Sequence, residues 1–85
     1  MTETIDDTVL RERARTLLVS GKLPALEPSA TWAGSGRGDT CCVCRLLVRG
    51  DEIGFDLSFG LPGRDVELHM HSRCRIAWEQ ARRAN

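Results

Sequence analysis

A small α+β domain is predicted by three patterns in the 85-residue chain. Leu10, Ala14, Leu17 and Leu18 recur at i, i+4, i+7 and i+8, the spacing of one helix face. Ile53, Phe55, Leu57 and Phe59, and then Val66, Leu68 and Met70, alternate with small or polar residues, the period of half-buried strands. A Cys-x2-Cys pair (Cys41, Cys44) and a His-x2-Cys pair (His71, Cys74) frame those strands, with 26 residues between the pairs.

The first helix is expected over residues 4–20, inside an N-terminal unit of residues 1–21. Thr4, Asp6 and Asp7 suit its start, where hydroxyls and carboxylates meet unpaired amides and the positive end of the helix dipole. Arg11, Glu12, Arg13 and Arg15 fall off the apolar stripe. Gly21 suits the position just past the helix, and Pro24 prevents its resumption.

Residues 22–40 carry Pro24, Pro28 and Gly34-Ser-Gly-Arg-Gly38, and read as an irregular connector. The glycine spacing is no phosphate loop, because it lacks a preceding strand, a following helix and a Gly-Lys-Ser/Thr. Trp32 is expected to pin this connector to the core.

Residues 41–85 form the third unit. A short strand is predicted over 43–48, turning at Arg49-Gly-Asp-Glu52, and a hairpin follows with its turn at Gly60-Leu-Pro-Gly63. A last helix runs from His71 to about Ala84, with Cys74, Ala77, Trp78 and Ala81 on one side. Arg73, Arg75, Arg82 and Arg83 lie opposite, against a single acid, Glu79. The two Arg-Gly-Asp tripeptides, at 37–39 and 49–51, read as turn chemistry.

Composition narrows the function classes. Hydrophobic residues make up 41% of the chain and charged residues 28%, too apolar for wholesale disorder. Twelve basic residues balance twelve acidic ones, which removes any overall basic field for nucleic acid. The acidic start, Met1-Thr-Glu-Thr-Ile-Asp-Asp, is unlike a secretion signal, and the longest apolar run, Leu46-Leu47-Val48, is far below the roughly 20 residues of a membrane span. A soluble, cytoplasmic protein with reduced thiols is therefore expected, with no membrane partner.

A chain this short has little core and calls for a staple. Three sulfurs and one imidazole make a closed tetrahedral set suited to one structural zinc ion, held by Cys41, Cys44, His71 and Cys74. A disulfide cage conflicts with a reducing compartment. A redox Cys-x2-Cys belongs at a helix start, whereas this one leads into Arg45-Leu-Leu-Val-Arg-Gly. Four ligands leave no open position for a catalytic zinc. Two residues keep alternatives open: Cys42 can replace Cys41, and His69 can replace His71 or stand behind the ligands, although spacing favours Cys41 and His71.

The order of knuckle, hairpin and helix with a ligand pair in its first turn resembles the treble-clef zinc finger. Cys41 and Cys44 match its knuckle, and His71 and Cys74 its helical pair. The stretch Leu68-His-Met-His71-x-x-Cys74-x-x-x-Trp78-Glu79, with Thr31-Trp-Ala-Gly-Ser-Gly36 ahead of Cys-x2-Cys, is also similar to a group of short bacterial proteins. The resemblance spans residues 31–79 and departs at Arg45, where many knuckles carry glycine. It implies a fold and a metal; treble clefs serve DNA, RNA, protein and ubiquitin binding alike, so it does not give a function.

Three functional classes follow. The first is a non-enzymatic adaptor or regulatory module that binds a protein partner, or a second copy of itself, through the stripe of the first helix. Against this, the stripe can simply cover the apolar face of the hairpin. The second is nucleic-acid binding through Arg73, Arg75, Arg82 and Arg83, with Arg45 nearby. A three-thiolate, one-histidine zinc centre carries a charge of minus one, however, and those arginines can serve to offset it. The third class, an enzyme, has no support: the deaminase His-x-Glu, His-Glu-x2-His, the nucleophile elbow and the Walker motif are all missing, and there is little room for a small-molecule substrate.

Overall fold

A computed structural model describes residues 6–84; Thr4, the outermost expected helix-start residue, lies outside that range. The chain runs α1 (Asp7–Val19), β1 (Ala30–Ser35), β2 (Ile53–Leu61), β3 (Arg64–His71) and α2 (Ser72–Ala84). It is a small α+β fold of two helices and one three-stranded antiparallel sheet, in the order β1-β2-β3.

Helix α1 starts where its capping chemistry says it should. Asp6 has extended backbone, and its carboxylate accepts the amide of Thr8 at 2.8 Å. At the other end Gly21 takes φ +80°, which lets its amide reach Leu18 O and the amide of Lys22 reach Leu17 O. These two bonds close the last turn as a Schellman cap. Leu10 and Ala14 are fully buried, with Leu17 and Leu18 packed at the margin. The stripe is consumed by α2 and does not cover the hairpin: among the described residues, α2 is the one helix or strand that α1 packs against.

The hairpin follows the predicted alternation. Leu57 and Phe59 of β2 and Met70 of β3 are buried, and a two-residue Pro62-Gly63 loop joins Leu61 to its partner Arg64. Helix α2 lies on this face and buries Cys74, Ala77, Trp78 and Ala81. Trp78 meets Phe59 edge to face at 5.9 Å, and its indole N–H donates to Pro24 O at 3.0 Å, so the largest core side chain leaves no polar atom unpaired. Each such side chain contributes about 1.5–3 kcal/mol on burial.

Three expectations are corrected. Residues 22–40 are not wholly irregular, because Ala30–Ser35 pairs with the free edge of β2 and satisfies its backbone there. Trp32 does not pin the connector to the core and is 56% exposed. Cross-strand register sets it opposite Asp56, on the polar face of the sheet, and α2 does not reach β1. Residues 43–48 form no strand. The chain instead folds back on itself through Arg45 N→Cys41 O and Cys41 N→Leu46 O, touching an isolated bridge between Thr40 and Leu47.

One glycine in the connector has a steric reason. A Cβ on Gly36 would lie 2.2 Å from Arg49 O and 2.4 Å from Val48 O, so the loop before the cysteines passes the loop after them at a distance that admits no side chain. None of the described helices is long and apolar enough to cross a membrane.

Candidate metal centre

Two separate pieces of backbone deliver the four donors. Cys41 and Cys44 sit in the tight loop of residues 40–48, whose turn requires Arg45 at φ 70°. This left-handed conformation is the one that glycine adopts without strain, and here a non-glycine residue holds it. His71 ends β3 and Cys74 lies in the first turn of α2; the pair spans a strand–helix junction and does not occupy one helix. The amide of Cys42 donates to His69 O at 3.0 Å and staples the cysteine loop to β3. Arg13 of α1 donates to Cys44 O at 3.2 Å from the other side.

The result is one cluster. A single donor atom from each of Cys41, Cys44, His71 and Cys74 falls within 4.8 Å of all the others, and the three cysteines are buried. All four cysteines of the chain are free thiols. His71 turns its Nδ1 inward, 3.3 Å from Cys44 Sγ, while its Nε2 donates to Leu47 O at 3.0 Å and lies 3.4 Å from Glu52 Oε1. That outer bond leaves the Nδ1 lone pair for the cluster.

Electrostatics follow the same geometry. The Cys74 thiol donates to the Cys41 sulfur, and with backbone amides, including Val43 N at 3.4 Å, outweighs burial and lowers the Cys41 pKa to about 4. Cys74 is pushed up by that same bond and by burial. Burial raises Cys44. Burial opposes protonation of His71, yet the Cys41 sulfur, Leu47 O and Glu52 together lift it above the usual histidine value. Such a nest of one thiolate and two reluctant thiols is what a cation of borderline softness resolves, by taking all three sulfurs as thiolates. These four residues can hold one metal ion.

The remaining candidates are placed elsewhere. Cys42 stays outside the cluster, and burial drives its pKa up to about 12. His69 turns away as well, its Nδ1 lying 2.7 Å from Asp56 Oδ1. Of the four helix arginines, Arg75, Arg82 and Arg83 fall within about 100° of one another around α2, and Arg73 stands apart. At roughly 100° per residue, Arg73 and Arg82 point to opposite sides of α2. Arg73 pairs with Asp7 of α1 at 3.1 Å, Arg75 lies over the Phe55 ring, Arg82 makes two bonds to Glu79 and covers Trp78, and Arg83 reaches Glu79 at 3.3 Å.

Two residues around the centre escape sequence reasoning, Glu52 and Arg13. Each sits in a charged stretch that reads as solvated surface. Only the pairing of Gly54 with His71 carries a trace of Glu52, since it brings the start of β2 beside the histidine. The chain matches no protein-family model, and neither a curated protein nor a solved structure matches it.

Proposed function

We propose that the chain is a non-enzymatic module built around one structural zinc ion, treble-clef-like in its order of knuckle, hairpin and helix, and that it acts by contacting a protein partner in the cytoplasm. The observation that carries the zinc reading is the convergence of three buried sulfurs and one oriented imidazole nitrogen within 4.8 Å. That donor set suits zinc over hard cations, and four donors leave no position for a substrate.

The partner reading draws on what surrounds the centre. Leu46, Leu47 and Ile53 are each more than half exposed, and the residues touching His71 from outside, Leu47 and Glu52, belong to the same two segments. An apolar rim beside a rigid metal-held loop suits a protein surface. Nucleic acid is the weaker alternative, because Arg73, Arg75, Arg82 and Arg83 are committed to contacts within the chain.

Native mass spectrometry of protein purified without added metal tests the first part, with one zinc per chain expected and a metal-free folded chain refuting it. Affinity capture with Leu46→Asp/Leu47→Asp beside wild type tests the second. Loss of a specific partner supports the reading, whereas unchanged capture, or tight binding of DNA or RNA in low-salt anisotropy titrations, opposes it.

A further inference from the structure

Across the sheet, on the face turned away from Leu57, Phe59 and Met70, register aligns Trp32 with Asp56 and Asp56 with His69. Asp39, from the loop before Cys41, reaches the same place. His69 Nδ1 lies 2.7 Å from Asp56 Oδ1 and 3.7 Å from Asp39 Oδ2, and one donor atom from each of the three falls within 4.8 Å of the others. A cleft of about 160 Å³ opens beside them, walled by Trp32, Gly34, Gly36 and Arg37.

The geometry points to a second cation site here, Asp39, Asp56 and His69 binding a divalent first-row transition ion whose remaining positions face the Trp32 cleft. Two carboxylates directed at one imidazole nitrogen repel each other unless positive charge lies between them. In the ion-free chain that charge comes from Arg37, whose Nη2 sits 2.8 Å from Asp56 Oδ2, while His69 Nδ1 hydrogen-bonds Asp56 Oδ1. An ion can take over both tasks. The ligands come from β2, β3 and a loop already tied to β2 and β3, so little ordering is needed to bind. One nitrogen with two carboxylates favours manganese, iron, cobalt or zinc over magnesium or calcium. Three protein donors leave coordination positions open, unlike the closed sulfur centre. The cleft, edged by glycines and an exposed indole, gives those positions room for water or a small anionic ligand.

The site is independent of the zinc reading, and one titration separates them. Cobalt(II) is added to protein already carrying one zinc, with Trp32 emission as a readout. One further equivalent is expected, without thiolate-to-cobalt charge-transfer bands, and with quenching that Trp32→Phe removes. Asp39→Asn and His69→Gln each weaken this second event about tenfold or more. Arg37→Ala, which removes a competing cation from an exposed position, tightens it severalfold. Asp51→Asn leaves it unchanged. Retention of the first zinc and of the circular dichroism spectrum shows that each variant is folded. Absence of a second equivalent overturns the proposal, as does a second event of equal strength in His69→Gln, which means adventitious carboxylate binding only. Cobalt added to metal-free protein tests the sulfur centre separately, through its thiolate bands.

Discussion

The imidazole of His71 donates from Nε2 to the carbonyl oxygen of Leu47 at 3.0 Å, tying the end of β3 to the loop that carries Cys41 and Cys44. With Nε2 held as the donor, the neutral imidazole carries its lone pair on the inward Nδ1, the tautomer that a metal takes. Glu52 holds the same ring from 3.4 Å. Glu52→Ala is expected to lower metal affinity about tenfold while keeping one ion per chain, as read by competition with a chromophoric chelator.

Removing the ion is expected to unfold the domain. Metal binding supplies roughly 10–16 kcal/mol in small finger peptides, comparable to the whole stability of an ordinary domain. Cys41→Ser, Cys44→Ser, His71→Ala or Cys74→Ser, or excess strong chelator on wild type, should therefore abolish the cooperative thermal transition. A chelated chain that still melts cooperatively at the same temperature refutes the assignment.

Cys42 and His69 are expected to be dispensable to the fold. Cys42→Ser and His69→Ala should retain one tightly bound ion and lose less than about 1.5 kcal/mol in denaturant titrations. The Cys42 thiol, raised to about 12 by burial, stays protonated across the neutral range. The folded chain thus holds this proton where the unfolded chain, with an ordinary cysteine, releases it. Stability should fall as pH rises above the ordinary cysteine value towards 12, and Cys42→Ser should flatten that fall. Alkylation of the folded, metal-loaded protein at pH 8 should leave Cys42 unmodified.

Arg45 and Gly36 are expected to respond in opposite directions. Arg45 holds φ 70° on an exposed loop, so Arg45→Gly should stabilise by about 1 kcal/mol. Gly36→Ala places a methyl group against two backbone carbonyls that cannot yield cheaply, and should cost more than about 2 kcal/mol. Paired urea titrations report both.

Periodicity made the helices and the hairpin legible. Leu10 and Ala14, Leu57 and Phe59, and Cys74, Ala77, Trp78 and Ala81 are buried on the faces their spacing assigned. Ligand spacing picked out the four donors that the fold brings together. Strand β1 was illegible because Ala-Thr-Trp-Ala-Gly-Ser has no strand-like alternation of buried and exposed positions; five of its six residues are exposed, and its reason to be extended is the free edge of β2. Leu46, Leu47 and Val48 read as a strand by composition, but the turn needed to aim Cys41 and Cys44 leaves no room for one. The grouping of Asp39, Asp56 and His69 depends on register across three segments, which local sequence does not encode.

Helix α1 rests on α2, which the Asp7–Arg73 pair also joins, and has no strand beside it among the described residues; Arg13 ties it further to Cys44 O. It is therefore the layer that detaches most cheaply. Its amides should exchange with solvent through a partial opening that leaves the sulfur cage and the hairpin shut, at a lower free energy than the amides of β2 and β3.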